Sequence, residues 1–136
     1  MMPSVEIAIK AQFYDVDPMD VVWHGHYARF FEQARCELLD LIGYNYEQMR
    51  ESGYFWPIVD MRIKYVRPIR FRQDVLVAAT VAEFENRLKI DYRIRDKARA
   101  EVLTKGFTIQ AAVNAQTGEL CLESPAVLIE KMKRIA

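Results

Sequence analysis

The sequence predicts an α+β fold in which a curved antiparallel sheet of about five strands wraps around one long helix. Apolar residues recur at helical spacing in one long segment near the N-terminus. They alternate with polar residues in several later segments that short turns connect. Short turns join antiparallel neighbours, because a parallel crossover needs about a dozen residues or more. With 136 residues, of which 51% are apolar, the chain is expected to form a single domain over residues 1–136.

The first strand and the long helix flank an unusual loop. Residues 5–9 alternate between apolar and small or polar side chains, which predicts a strand with one buried face. Residues 27–42 carry apolar side chains three and four positions apart, which predicts an amphipathic helix. Gly43 is placed to end that helix, and a short second helix is expected over 46–52 after a capping Asn45.

Strand periodicity returns after Pro57 and continues to the tail. The predicted strands cover residues 59–65, 75–85, 87–95 and 103–113. Gly106 is interpreted as a candidate bulge. A final helix is expected over 125–135, with Ser124 as its N-cap. A sheet with one covering helix leaves an edge strand exposed, so we expect at least a dimer in which a second copy covers that edge.

Composition excludes several classes of function. Nineteen basic and nineteen acidic side chains give a net charge of zero, which disfavours nucleic acid as a partner. No apolar stretch approaches the length of a membrane span, and the N-terminus lacks the plan of a signal peptide, so a cytoplasmic location is expected. The two cysteines, Cys36 and Cys121, form no metal-ribbon or dithiol motif and are expected to be free thiols.

The loop before the long helix concentrates titratable side chains. They are Asp15, Asp17, Asp20, His24 and His26. The helix begins without a Ser, Thr, Asp or Asn cap, so its first amides are candidates to hold a carbonyl oxygen. A nearby carboxylate could attack that carbonyl or activate water against it, which suits acyl transfer.

Ordinary structural roles stand beside this interpretation. Asp15 and Asp20 are the kind of residue that caps helices or forms turns. His24 and His26 lack a third ligand at matching spacing, so no metal is expected. Basic residues on the later strands usually form a solvated face, although a local patch could hold the phosphates of a nucleotide-bearing carrier. The aromatic run 54–56 could line an acyl pocket or pack in the core.

Two stretches of sequence carry a family resemblance. Residues 13–35, FYDVDPMDVVWHGHYARFFEQAR, resemble the signature of the 4-hydroxybenzoyl-CoA thioesterase family, and residues 63–74, IKYVRPIRFRQD, resemble its next motif. The resemblance implies a hotdog fold and an acyl-CoA thioesterase that needs no metal or redox cofactor. It also implies a homodimer with active sites at the interface, which often pairs into a homotetramer.

The resemblance assigns roles to particular residues. Asp17 matches the family's nucleophile or general base, and His24 matches a histidine that some members use. Phe13 stands where those members have Tyr, and Asp20 stands where the family usually has Gly. The residues expected to contact the acyl-CoA substrate are Trp23, Gly25, His26, Tyr27, Arg70, Arg87 and Lys89. Among these, the basic side chains are expected to hold the CoA phosphates.

Two other functions stay open on the sequence. A hydratase or dehydratase acting on an acyl carrier could share this architecture, but it needs an Asn-Pro context that Asp17-Pro18 lacks. A non-catalytic protein that binds or senses acyl-CoA is compatible with the changes at Phe13 and Asp20. Aromatic, short-chain and medium-chain acyl groups are all compatible with the sequence.

Overall fold

The computed structural model describes residues 2–135. Its strands are β1 (Ser4–Lys10), β2 (Tyr54–Phe55), β3 (Ile58–Tyr65), β4 (Asp74–Glu83), β5 (Leu88–Asp96), β6 (Val102–Gln110) and β7 (Val113–Asn114). Its helices are α1 (Tyr27–Ile42), α2 (Tyr46–Glu51) and α3 (Ala126–Ile135). Single 3-10 turns at Phe13–Asp15 and His24–His26 lie within the loop that leads into α1.

The main sheet has five antiparallel strands in the order β1-β4-β5-β6-β3. The long helix α1 packs mainly against β1 and β4. Its buried side chains meet the buried face of the sheet in one apolar core. The predicted α+β fold with five antiparallel strands and one long helix is therefore confirmed. No helix within residues 2–135 is long and apolar enough to span a membrane.

Local signals in the sequence explain where the first two helices end and begin. Gly43 ends α1 in the left-handed conformation, with φ of 80°, and its amide donates to carbonyl oxygens of the last helical turn. Asn45 caps α2 by accepting a hydrogen bond from the Tyr46 amide at 2.7 Å. The Gln48 side chain accepts one from the Asn45 amide at 2.9 Å, which completes a capping box. The predicted boundaries at Gly43 and Asn45 are confirmed.

Gly106 is not a bulge. It pairs regularly with Tyr92 on β5 and with Ile63 on β3. The Phe31 ring of α1 stacks on the Tyr92 ring at 4.2 Å between centroids and 4° between planes. A Cβ at position 106 would lie 2.7 Å from the Phe31 ring and would overlap the carbonyl oxygen of Arg62. The glycine is needed because helix and sheet approach closely here.

The segment predicted as one strand over 103–113 is two strands. β6 ends at Gln110, and β7 pairs with β2 in a separate two-stranded sheet. The Gln110 side chain turns inward, and its Nε2 donates to the Trp56 carbonyl oxygen at 2.7 Å. Alternation of apolar residues continues through the break, which is why periodicity alone does not reveal it.

The edge strand β3 does not have the buried face that its alternation predicted. Val59 is 56% exposed, Met61 45% and Tyr65 48%. Met61 pairs with Thr108 and Tyr65 with Thr104, and both threonines are buried. The apolar side chains of β3 therefore continue the helix-facing side of the sheet beyond the part that α1 covers.

Ser124 does not cap α3. Its hydroxyl is buried without a hydrogen-bond partner within residues 2–135. The helix begins at Ala126, and the Leu128 amide donates to the Pro125 carbonyl oxygen at 3.0 Å. An unpaired buried hydroxyl opposes folding because it loses its hydration without compensation.

Replacing Ser124 by Ala is accordingly expected to leave the free energy of unfolding unchanged or to raise it. Asn45→Ala provides the comparison, since loss of a working N-cap costs about 1 kcal/mol. Urea denaturation of the two variants and the native protein measures both effects. A loss of about 1 kcal/mol in Ser124→Ala would show that this hydroxyl does cap the helix.

Candidate active site

The loop before α1 folds into a fixed hairpin that presents Asp17. The Asp17 amide donates to the Val21 carbonyl oxygen at 2.9 Å, and the Asp20 amide donates to the Asp17 carbonyl oxygen at 2.9 Å. Asp20 takes a left-handed conformation, with φ of 62°, at the tip. The Val22 amide then donates to the Ile69 carbonyl oxygen at 2.7 Å, which fastens the loop to the segment after β3.

The loop forms a hydrogen bond with only one of the two oxygens of the Asp17 carboxylate. Its Oδ1 accepts a hydrogen bond from the Met19 amide at 2.8 Å. Within residues 2–135 its Oδ2 accepts no hydrogen bond, and no side-chain nitrogen of Lys, Arg or His lies within 4.0 Å of either oxygen. One oxygen of a partly exposed carboxylate is thus available to a ligand.

Asp17 and His24 line the same cavity, whose volume is about 250 Å³. Its other lining residues are Met19, Val21, Val22, Tyr27, Tyr65, Val66, Arg67 and Pro68. Valine and proline make much of the wall apolar, while Asp17, His24 and two phenols supply polar groups. A small apolar cavity with a few convergent polar groups is the usual form of a substrate site.

Tyr27 and Asp17 both line the cavity. Burial raises the pKa of the Tyr27 phenol most strongly, a hydrogen bond with the Ile69 backbone lowers the pKa, and the negative charges of Tyr65 and Asp17 raise it further. Because the net effect is a raised pKa, the phenol carries its proton at neutral pH. Tyr27 therefore offers a neutral hydroxyl close to the carboxylate.

The start of α1 is only partly available to a ligand. No side chain caps the helix, as predicted. The His26 amide, however, donates to the Trp23 carbonyl oxygen at 2.9 Å, so it is not the free donor that the sequence suggested. The Gly25 amide makes no hydrogen bond in the part of the chain that the structure describes. A Cβ at Gly25 would overlap the Trp23 indole, so glycine lets that ring lie against the turn.

An ion pair between a buried carboxylate and a half-exposed arginine holds the start of the loop. Asp15 is 1% exposed and accepts a hydrogen bond from the Gln12 amide at 2.8 Å. The Arg29 guanidinium of α1 donates to its other oxygen. Asp15 therefore caps a 3-10 turn, which is the structural role that the sequence suggested for it. It also connects that turn to α1.

The aromatic residues near the site divide between surface and core. Trp23 is 46% exposed, and its ring lies 5.1 Å from the His24 ring. Phe13 is 75% exposed and does not line the cavity. Trp56 is buried, and its Nε1 donates to the Tyr44 hydroxyl at 3.2 Å, so it packs in the core away from the cavity.

The basic residues expected to hold phosphates are dispersed. Arg70 forms an isolated bridge with Val21 of the active-site loop. Arg87 pairs with Glu83 at 3.2 Å, and the Lys89 ammonium lies 4.7 Å from the centre of the Phe107 ring.

The sheet register separates one of these residues from the cavity. Lys89 lies five positions along β5 from Ile94, which pairs with Thr104, the partner of Tyr65. That distance is about 17 Å at the usual rise of a strand. Within one chain, Lys89 therefore lies at the other end of the sheet from the cavity.

Two polar residues of the cavity were not predicted as site residues from the sequence. Tyr65 ends β3, and its hydroxyl donates to the His24 carbonyl oxygen at 3.0 Å. Arg67 follows two residues later and lines the same cavity. The sequence signal that could have identified them is the Tyr-Val-Arg-Pro at residues 65–68, where a predicted strand ends within the second motif. Among residues 2–135, no group of three His, Cys, Asp or Glu side chains is placed to hold a metal ion.

Comparisons with known proteins agree with this architecture. The profile of the Thioesterase-like superfamily matches residues 11–131. A Synechocystis protein named as a candidate esterase is 28% identical over 131 residues, which cover 96% of this chain and 79% of that protein. A Bacillus subtilis protein named as a candidate acyl-CoA thioesterase is 26% identical over 76 residues, 56% of this chain and 55% of that one. The crystal structure of a DHNA-CoA thioesterase from Staphylococcus aureus is 27% identical, with a TM-score of 0.79 over 88% of this chain and 80% of that one.

Proposed function

The chain belongs to the thioesterase-like superfamily and is a thioester hydrolase with the hotdog fold, and we propose that it cleaves acyl-CoA at the cavity beside Asp17. The observation that carries this proposal is the carboxylate of Asp17, which has one unoccupied oxygen and shares its cavity with His24. A carboxylate held in this way is suited to attack a carbonyl or to accept a proton from water.

The reaction we propose begins with the thioester carbonyl between Asp17 and the turn before α1. The Gly25 amide donates a hydrogen bond to the carbonyl oxygen, on which negative charge grows. Asp17 attacks the carbonyl carbon, the carbon–sulfur bond breaks, and CoA leaves as a thiolate that takes up a proton. Water then cleaves the acyl–Asp17 anhydride and releases the free acid.

A second route uses the same carboxylate as a general base. Asp17 accepts a proton from a water molecule, the resulting hydroxide adds to the carbonyl carbon, and the CoA thiolate leaves. His24 is assigned to orienting that water or contacting the thioester, since this residue lines the cavity. Both routes end with the same acid and thiol and require the Asp17 carboxylate.

Release of thiol from a panel of acyl-CoAs tests this proposal. The panel covers aromatic acyl groups and aliphatic chains of two to sixteen carbons. We expect turnover of at least one substrate. The preferred acyl group will indicate the size and shape of the acyl pocket. Binding of acyl-CoA without release of thiol would instead identify a sensor, and hydration of an enoyl substrate would identify a hydratase.

We also propose that the active protein is a homodimer formed through β3. This strand is an edge of the main sheet, and three of its apolar side chains, Val59, Met61 and Tyr65, are about half exposed. An unpaired edge with an apolar face is a surface that proteins usually cover. Because Tyr65 also lines the cavity, the partner subunit would lie next to the active site. The homotetramer implied by the family resemblance stays a prediction.

The variant Met61→Glu is expected to shift this dimer to monomer, because it puts a charge into the proposed apolar interface. Light scattering after size-exclusion chromatography measures the molar mass. Met61→Leu is the matched control and should stay dimeric, since it retains an apolar side chain of similar volume. A dimer that survives Met61→Glu at low micromolar concentration would place the interface elsewhere.

A further inference from the structure

A second, larger groove adjoins the active-site cavity. Its volume is about 540 Å³, and it lies where the β5–β6 turn approaches the segment after β3. Its charged lining residues are Arg67, Arg70, Asp96, Arg99 and Glu101. Arg67 and Pro68 line both the groove and the cavity, so the two spaces meet at these residues.

Both acidic side chains of the groove are already engaged. Glu101 lies 3.1 Å from the Nε of Arg67. The Asp96 carboxylate accepts hydrogen bonds from the Gln73 amide group at 2.8 Å and from the Arg99 backbone amide at 2.8 Å. These bonds, led by the one from Gln73, lower the pKa of Asp96 and keep it ionised as part of the turn.

Within residues 2–135, neither Arg70 nor Arg99 of the groove forms an ion pair, although the charge of Arg99 helps to lower the pKa of Asp96. No carboxylate oxygen lies within 4.0 Å of the Arg70 or Arg99 guanidinium groups in the described part of the chain. Arg70 is also fixed in place, because its backbone bridges to Val21 of the active-site loop. Guanidinium groups bind phosphate through paired, charge-assisted hydrogen bonds, so a phosphate is the natural ligand of such a groove.

We propose that Arg70 and Arg99 bind the phosphates of the CoA nucleotide in this groove. The pantetheine arm then runs past Arg67 and Pro68 and delivers the thioester to Asp17. This inference rests on the proposed function and adds the position of the nucleotide. It retains Arg70 from the sequence-based expectation and adds Arg99, which lies in the turn between β5 and β6.

Two substrates with the same acyl group distinguish an effect on nucleotide binding from an effect on catalysis. Acyl-CoA carries the nucleotide, whereas acyl-pantetheine lacks it and needs only the cavity. Arg70→Gln and Arg99→Gln are each expected to raise KM for acyl-CoA about tenfold, the effect of losing one charge-assisted hydrogen bond. Neither variant should change kcat or KM for acyl-pantetheine. Arg93→Gln, which removes an exposed arginine outside the groove, is the matched control and should change neither substrate's kinetics.

The same comparison can overturn the inference. Unchanged KM for acyl-CoA in both variants would remove the groove from substrate binding. An equal rise in KM for both substrates would mean that the arginines act on the cavity or the fold. Adenosine 3′,5′-bisphosphate should compete with acyl-CoA and leave acyl-pantetheine hydrolysis unaffected. Equal inhibition of both substrates would identify a regulatory site for free nucleotide instead and would overturn the proposal.

A binding measurement keeps the inference testable even if the native protein hydrolyses neither substrate. Calorimetric titration with adenosine 3′,5′-bisphosphate is expected to show binding to the native protein and about tenfold weaker binding to each variant. If the native protein binds the nucleotide more tightly than the variants but hydrolyses no substrate, the proposed function is rejected and the groove remains a nucleotide-phosphate site. Equal affinity in the native protein and both variants would reject the groove itself.

Discussion

Asp17→Asn is expected to lower kcat for acyl-CoA hydrolysis roughly 10³-fold, the usual size of the contribution of a catalytic acid or base. An amide neither attacks a thioester nor accepts a proton from water at neutral pH. The amide oxygen can still accept the hydrogen bond from the Met19 amide, so the loop should keep its shape. The variant should therefore unfold at the same urea concentration as the native protein.

Asp20→Asn is the matched control for this prediction. It makes the same change three residues away, at the exposed tip of the same loop, where Asn tolerates the left-handed backbone as well as Asp does. Steady-state thiol release should leave its kcat within about twofold of the native value. Full activity in Asp17→Asn, or an equal loss in both variants, would remove Asp17 from the reaction.

Gly106→Ala is expected to lower the free energy of unfolding by about 3 kcal/mol, near the upper end for overpacking in a core. A Cβ there would overlap the Arg62 carbonyl oxygen and lie 2.7 Å from the Phe31 ring. The carbonyl belongs to a paired strand and cannot move without breaking the β3–β6 register. Urea denaturation measures the loss as a lower midpoint at unchanged slope.

Lys105→Ala serves as the control on the adjacent position of β6, where the side chain is exposed. Surface substitutions of this kind change the free energy of unfolding by about 0.5 kcal/mol or less. A Gly106→Ala variant as stable as Lys105→Ala would mean that α1 and β6 are farther apart than the structure has them.

The elements that the sequence predicted well are those with local causes. α1 follows from apolar spacing and from a glycine that adopts positive φ at its end. α2 follows from an asparagine and a glutamine three residues apart, whose hydrogen bonds form within one turn. Because these interactions involve near neighbours in the chain, the sequence contains all the information they need.

The elements that differ depend on contacts distant in sequence. Gly106 resembles a bulge in the sequence because the Phe31 ring that requires it lies 75 positions earlier. The exposure of Met61 arises because β3 lies at the edge of the sheet away from β1 and β4, the strands that α1 covers, and alternation does not encode that position. Ser124 precedes Pro125 as a capping residue would, yet its hydroxyl is buried without a partner in the described part of the chain.

The candidate site shows the same division. Asp17 and His24 lie in one continuous motif, so their shared place in the cavity could be predicted. Tyr65 and Arg67 enter from a segment about forty residues later, fastened to the loop by the hydrogen bond between Val22 and Ile69. The roles assigned to Arg87 and Lys89 stay predictions, because neither residue lines the cavity.

A crystal structure of Asp17→Asn with a bound acyl-CoA would show whether the thioester is held at position 17. The thioester carbonyl carbon is expected about 3.5 Å or less from the side chain at position 17, the distance of a reactive arrangement. The carbonyl oxygen should face the Gly25 amide, and the acyl group should lie in the cavity beside Val21 and Tyr65. A thioester bound among Tyr54, Phe55 and Trp56, away from position 17, would show that Asp17 is not the reacting group.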